Sequence, residues 1–213
     1  EVRPQPFEIT VLRHGESIGN AEARWQGQSD FALTDTGRAQ ARALAERWKS
    51  EDVKFDLIIT SPLLRAKETA EIIGAALNVS VESDPGWMER DNGEFSGLTA
   101  HEVRQNFVHP EFYTPYDSVG GDGEGDWELF LRAGQALHLL LKRTPGHYLV
   151  VSHGGILNQF MHAVLGLAPQ ANNSGARFRF ENTSFARLIY FPHQHRWAID
   201  TLNDHVHLKD VEK

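Results

Sequence analysis

Three short stretches of the chain carry residues able to handle a phosphoryl group. "LRHGESIGN" sets Arg13 and His14 directly after the apolar run "FEITVL", "SPLLRAKETAEII" places Arg65 just after "DLIIT", and "VVSHGGIL" puts His153, Gly154 and Gly155 at the end of "HYLVVS". Arginine offers a planar fork of donors that matches phosphoryl oxygens bidentately. A neutral imidazole is a nucleophile near pH 7 and can hold a phosphoryl group covalently. His14, with arginine on its N-terminal side, is the expected nucleophile, and Asn20 adds a neutral donor. A leaving alkoxide needs a proton, which a carboxyl group can supply. Glu89 in "GWMERDNGEFSG" is the candidate, flanked by Trp87 and Met88, which are expected to desolvate it; Glu94 is the nearby competitor. Arg65 is informative in another way. A cation in the first turn of a helix is electrostatically misplaced, and a bound anion would compensate it. Pairing with Glu68 or Glu71 is the plainer alternative.

These residues need elements that bring them to one place. "EITVL" (residues 8–12) reads as a first strand, and a loop leads to an amphipathic helix at 36–49 with Ala41, Leu44, Ala45 and Trp48 on one face. "DLIIT" (56–60) is a second strand. The following helix opens with Ser61 as N-cap and Pro62 as its first residue. "VSVES" (79–83) is a third strand. An irregular region at 84–125 follows, interrupted by a short helix that Thr99 and Glu102 start as a capping box, and such length is unusual for a passive connection. A helix over 126–143 carries Trp127, Phe130, Leu131, Leu137 and Leu141 on one side. "HYLVVS" (147–152) is a strand and "GGILNQFMHAVLG" a helix. "RFRFE", "SFARLIYF" and "RWAIDTL" read as three closing strands. The alternation predicts a three-layer α/β/α sandwich with a mostly parallel, mixed central sheet and an inserted lid at 84–125, in one domain over residues 1–213. Arg13, His14, Arg65 and His153 then all sit at carboxyl ends of strands, where ligands bind in such sheets and helix N-termini face anions.

Composition narrows the class. The 213 residues carry a formal charge of −8, which opposes general affinity for nucleic acid or an anionic membrane surface. Cysteine is absent, which excludes disulfides and thiolate catalysis and is compatible with a reducing compartment. No run approaches the roughly 18 to 20 apolar residues of a membrane helix, and the start lacks a signal-peptide layout. A cytoplasmic protein is expected. "DGEGD" (122–126) resembles a calcium loop, but Trp127 stands where glycine is required and Ala133 where glutamate is. "HQH" (193–195) and "HVH" (205–207) lack an accompanying carboxylate framework, so no metal is expected.

"LRHGESIGN", "QGQSDFALTDTGRAQA", "DLIITSPLLRAKETAEII", "MERDNGEFSG", "GDGEGDWELFLRAGQAL" and "VVSHGGIL" resemble, in order, the successive blocks of the histidine phosphatase superfamily in its phosphoglycerate mutase-like branch, over about residues 9–165. The resemblance implies that His14 is the phosphorylated nucleophile, that Arg13, Arg65 and His153 grip the phosphoryl group with Asn20, and that Glu89 donates and then accepts the proton. Gln26 and Gly154 are expected to complete the phosphate-binding set, and the family requires no cofactor. Phe95 stands where many relatives carry Trp, and Gly125 where Ser is commoner, so the departures touch substrate choice. A phosphomonoesterase is the leading expectation, with a mutase or a noncatalytic phosphate-binding module as alternatives. Between residues 84 and 125 the only cations are Arg90 and Arg104, and the segment lacks the mutases' "YGGLTGLNK"-like stretch. Phe95, Phe107, Phe112, Tyr113 and Tyr116 suggest a partly apolar, uncharged substrate portion. The expected partner is a small-molecule phosphate ester, with neither nucleic acid nor membrane, and a homodimer is left open.

Overall fold

The period-two pattern of the first and fourth strands decides the architecture. In β1 (Phe7–Arg13), Phe7, Ile9 and Val11 enter one hydrophobic cluster and Leu12 the other; in β4 (His147–Ser152), Tyr148 and Val150 point one way and Leu149 and Val151 the other. Strands buried on both faces need a helical layer on each side. The computed structural model, which describes residues 5–108 and 110–210, supplies both. α2 (Asp35–Ser50) and α3 (Leu64–Leu77) cover one face through Leu44, Ala45, Trp48, Ala66, Ala70 and Ile73. α5 (Asp126–Leu140) and α6 (Gly154–Leu165) cover the other through Leu129, Ala133, Ile156, Leu157, Phe160 and Met161. The sandwich is therefore three-layered, as the sequence predicts.

The sheet runs β3-β2-β4-β1-β5-β6, with β2 (Leu57–Thr60) and β3 (Val81–Ser83) parallel to β4 and β1. β5 (Phe185–Phe191) and β6 (Arg196–Asp204) complete it antiparallel. β1 and β4 are adjacent and parallel, yet the helices that follow them lie on opposite faces. That is a switch point, where the two departing loops leave a crevice at the strands' carboxyl ends.

Three expectations are corrected. "RFRFE" forms no strand, because side chains take its backbone groups: Asn158 both donates to the Phe178 carbonyl and accepts from its N–H, and Arg13 donates to the Phe180 carbonyl. α3 begins at Leu64 with Leu63 as N-cap, and Ser61 is turned elsewhere. The buried stripe of α5 is Leu129, Ala133, Ala136, Leu137 and Leu140, while Leu131 is 54% exposed, since the apolar surplus on this helix spreads beyond the face that packs. One short helix, α1 (Ile18–Ala21), was not expected. Ser17 and Asn20 close it as a capping box, a spacing visible in "ESIGN". The Thr99–Glu102 box does start α4 (Ala100–Asn106).

The loop after β1 is pressed against the start of α2. A Cβ on Gly37 would lie 2.0 Å from the Glu16 carbonyl oxygen, so the two backbones touch where only glycine fits. Gly37→Ala gains roughly 1 kcal/mol of helix propensity but must displace the loop that carries His14, an overpacking cost of about 1–3 kcal/mol. Urea unfolding is expected to show net destabilisation of the variant. A rise in its unfolding midpoint would refute the close approach.

Candidate active site

His14 and His153 end adjacent strands, and their rings lie 5.1 Å apart between centroids. The His14 N–H continues the β1–β4 ladder by donating to the Ser152 carbonyl at 2.9 Å, so the nucleophile candidate is held by the sheet itself. Its Nδ1 donates to the Gly15 carbonyl at 2.6 Å. That bond fixes the tautomer and leaves Nε2 with a free lone pair. Burial, with Arg65 and then Arg13 beside it, pushes the His14 imidazole well below its usual range, so the ring is neutral near pH 7. A buried, neutral, oriented imidazole is the form that attacks phosphorus.

Arg65 is 1% exposed. Neither alternative partner holds it, because Glu68 pairs with Arg38 and Glu71 with Lys67. Its terminal nitrogens donate to the Gly27 and Ser29 carbonyls at 2.7 and 2.9 Å. Burial lowers its pKa to about 10, which still leaves it charged near pH 7. Arg13 donates to the Phe180 carbonyl, and burial lowers it too. Among the described residues, five buried side-chain atoms lack a hydrogen-bond partner, and three belong to this cluster: Arg13 Nε, Arg65 Nε and His153 Nδ1. Buried polar groups are rarely left unpaired. Three together on two cations and an imidazole point to an anion as the fitting ligand.

His153 carries its own orienting group. Its Nε2 lies 2.8 Å from Ser61 Oγ, which in turn accepts from the Leu63 N–H at 3.3 Å. With the serine hydroxyl as donor to Nε2, the ring proton lies on Nδ1, the unpartnered atom. Burial and the neighbouring Arg65, His14 and Arg13 keep this ring neutral as well. Ser61 was read as a helix cap, and its position directly after β2 is the only sequence signal for this other role.

Glu89 is held against the first turn of α6. Its carboxylate oxygens accept from the N–H groups of Arg90, Gly155 and Ile156 at 2.8, 3.0 and 3.1 Å. Trp87 does not desolvate it. That ring is fully buried against Phe160, 5.7 Å between centroids, on the core side. What fixes the Glu89 backbone is Arg132, whose terminal nitrogens donate to the carbonyls of Gly86, Met88 and Glu89 and to the Glu124 carboxylate at 2.6 Å. The sequence reading missed Arg132; an arginine inside an amphipathic helix carries no local mark.

The expected contribution of two helix N-termini is also reduced. Glu89 takes two N–H groups of α6, and Asp30 takes the Leu64 N–H of α3 at 2.9 Å. The anion site is built mainly from side chains. Asn20 and Gln26 sit on the same rim, tied together through Ser17, and Gly154 faces the crevice from the start of α6. The structure thus gathers Arg13, His14, Asn20, Gln26, Arg65, Glu89 and Gly154 around one cavity of about 780 Å³, with His153 directly behind His14. Its wall further out includes Trp25, Phe95, Val103, Phe107 and Tyr113, together with Arg24, Arg177 and the carboxylates of Glu94, Asp117 and Asp126. Trp25, Phe95 and Phe107 pack edge to face at 5.7 and 4.8 Å. Phe112 and Tyr116 are not part of this wall. They are 60% and 71% exposed, and Tyr116 rests on Trp127.

Comparison with known proteins gives a consistent picture. A family model described as the histidine phosphatase superfamily (branch 1) matches residues 9–205. A probable phosphoglycerate mutase GpmB of Proteus mirabilis is 37% identical over 217 residues, covering 96% of each chain. Among solved structures, YhfR of Bacillus stearothermophilus is 29% identical with a TM-score of 0.80, covering 94% of this chain and 99% of its own. A mycobacterial glucosyl-3-phosphoglycerate phosphatase in complex with VO3 is 28% identical with a TM-score of 0.78, covering 92% and 98%. No helix among the described residues is long and apolar enough to cross a membrane.

The depressed imidazoles have a measurable signature. In imidazole NMR titrations His14 and His153 are expected to protonate well below pH 6.5, and Arg65→Met should move His14 upward by removing a neighbouring charge. The sign for stability follows. The unfolded chain binds these protons first, so the contribution of the neutral rings is complete above about pH 6.5 and declines as pH falls toward the folded-state values. A His14 midpoint at or above 6.5 would contradict the burial argument.

Proposed function

The chain belongs to the histidine phosphatase superfamily, and from that premise we propose that it is a phosphomonoesterase that hydrolyses a small organic monophosphate through a phosphohistidine on His14. One observation carries the proposal: His14 Nδ1 is committed to the Gly15 carbonyl, so Nε2 is free on a neutral ring beside two guanidinium groups. In the first step Nε2 bonds to phosphorus, the ester P–O bond breaks, and the leaving oxygen takes the proton of the Glu89 carboxyl group. In the second step the Glu89 carboxylate takes a proton from water, the water oxygen bonds to phosphorus, and the N–P bond breaks to release phosphate. Arg13, Arg65, His153 Nδ1 and Asn20 donate to the phosphoryl oxygens, where charge concentrates in both transition states. Every step uses groups of the chain itself.

The mutase reading shares this chemistry and draws on the names of curated relatives such as the Proteus mirabilis protein. Several features favour hydrolysis. A mutase must hold a doubly phosphorylated, carboxylated intermediate away from water. Of the two cations in 84–125, Arg90 is already paired with Asp126 and Arg104 is not part of the cavity wall; beyond the phosphate cluster the wall's other arginines are Arg24, paired with Glu22, and Arg177. The aromatic wall of Trp25, Phe95 and Phe107 suits an apolar organic portion. Two solved relatives at 27–28% identity carry the names of phosphatases. We assign segment 84–125 the role of a lid, since it supplies much of the cavity wall, and we place the enzyme in the cytoplasm, in keeping with the absence of cysteine.

Phosphate release from p-nitrophenyl phosphate is expected for the native protein and should vanish in His14→Ala. Acid-labile, alkali-stable label trapped on any other residue would overturn the mechanism. Glu89→Gln should slow turnover by about 10²–10⁴ on alkyl phosphates and much less on aryl phosphates, whose leaving groups need no proton. Equal losses on both would assign Glu89 to binding or folding instead. With 3-phosphoglycerate and 2,3-bisphosphoglycerate supplied together, hydrolysis should exceed isomerisation, and the reverse by a wide margin would favour the mutase.

A further inference from the structure

The turn before β5 reaches back to the catalytic strand. The Ser184 N–H donates to the Glu181 carbonyl at 3.0 Å, and Thr183 adopts a left-handed φ of 53°, so residues 181–184 turn sharply beneath His14. Within that turn the Thr183 N–H is shared between the carbonyls of Arg13 and His14 at 3.1 and 3.2 Å. Asn182 Nδ2 donates to the same His14 carbonyl at 3.0 Å and to Asn20 Oδ1 at 3.2 Å. Its side chain therefore spans the two segments that meet at the phosphate centre.

The electrostatics of Asn20 make this contact consequential. An amide side chain has one acceptor end and one donor end, nearly equal in shape. Asn20 Oδ1 receives the Ser17 N–H at 3.1 Å as well as the Asn182 amide. With these two N–H groups and the Ser17 hydroxyl converging on that oxygen, turning the amide over would set N–H against N–H. The donor end of Asn20 is left for the cavity, whose rim it forms. Ser17 restrains it locally from the N-cap of the same short helix, through its N–H and, at 2.9 Å, its hydroxyl. Asn182 supplies a further restraint from 162 residues away, anchored to the carbonyl of the nucleophile itself.

We propose that Asn182 is a positioning residue that holds the Asn20 amide with its N–H2 toward the phosphoryl group. The inference rests on the phosphoryl-transfer reading of the same site and adds to it a residue that touches no reacting atom. It makes a specific thermodynamic demand. If Asn182 acts through Asn20, its loss has nothing left to disturb once Asn20 is gone, so the two substitutions must be non-additive.

The test is a double-mutant cycle on the full chain with Asn20→Ala, Asn182→Ala and the pair, following orthovanadate affinity and kcat/KM for p-nitrophenyl phosphate. Each single variant is expected to lose about tenfold in both, the worth of one hydrogen bond to a charged group. The pair should match Asn20→Ala alone to within about twofold. Losses that multiply would overturn the proposal, as would an Asn182→Ala variant with native vanadate affinity. Should Asn182→Ala not fold, Asn182→Asp keeps the shape and removes both N–H donors, and the same coupling is required of it. Native protein that neither binds vanadate nor releases phosphate would sink the phosphoryl-transfer reading itself. Native activity with an additive cycle would sink only the role of Asn182.

Discussion

Two arginines, one buried and one half-buried, and two buried imidazoles meet at one edge of the sheet, and the rest of the structure must accommodate that concentration of positive potential. Burying a cation without a partner is costly, yet among the described residues Arg65 has no carboxylate in contact and relies on the carbonyls of Gly27 and Ser29. Arg13 relies on the Phe180 carbonyl. Neutral acceptors satisfy part of each guanidinium fork while leaving its charge uncancelled. Burial, with the neighbouring arginines, keeps the imidazoles neutral, and a neutral ring is what the proposed role of His14 requires. A close Arg–carboxylate pair here would stabilise the empty fold and hold the ring protonated more readily. Glu89, whose charge acts most on both arginines, is instead occupied by backbone N–H groups of its own loop and of α6.

How much of this was legible depended on whether the signal was local. The strands "EITVL" and "HYLVVS", the Leu44–Trp48 stripe and the Thr99–Glu102 box are each decided within a few residues, and each appears in the structure as read. The gathering of Arg13, His14, Arg65 and His153 was also legible, because strand ends in a parallel sheet share an edge whatever the loops do. "RFRFE" misled for the opposite reason. Its alternation is that of a strand, but a strand needs a ladder partner, and Asn158 and Arg13 had already taken the backbone groups. The surface of α5 misled because apolar residues there outnumber the positions its partner layer can bury.

The positioning layer of the site was hidden in the sequence. Ser61, Arg132 and Asn182 are ordinary residue types in ordinary contexts, and each acts across the fold on a group named from its motif: Ser61 on His153, Arg132 on the Glu89 backbone, Asn182 on Asn20. The residues that touch the anion can be found from what their chemistry requires. Those that aim them can be found only from where the chain passes, since any donor at the right point would serve.

The wall of the cavity is coupled to the reaction centre through one loop. After His14 the chain forms α1 and then pairs with the 84–125 segment in strand-like fashion: the Trp25 N–H donates to the Leu98 carbonyl at 2.8 Å, the Gly97 N–H returns to the Trp25 carbonyl at 2.7 Å, and Arg24 donates to the Gly97 carbonyl at 2.8 Å. Trp25, 39% exposed at the rim, thus belongs both to the loop that begins with the nucleophile and to the wall opposite it. The same loop supplies the Gly27 and Ser29 carbonyls that hold Arg65. Backbone bonds carry this coupling, so the side chains of Trp25, Phe95 and Phe107 are free to differ without moving His14 or Arg65. A shared centre with an independently variable wall is the arrangement expected where relatives of one chain bear the names of different activities.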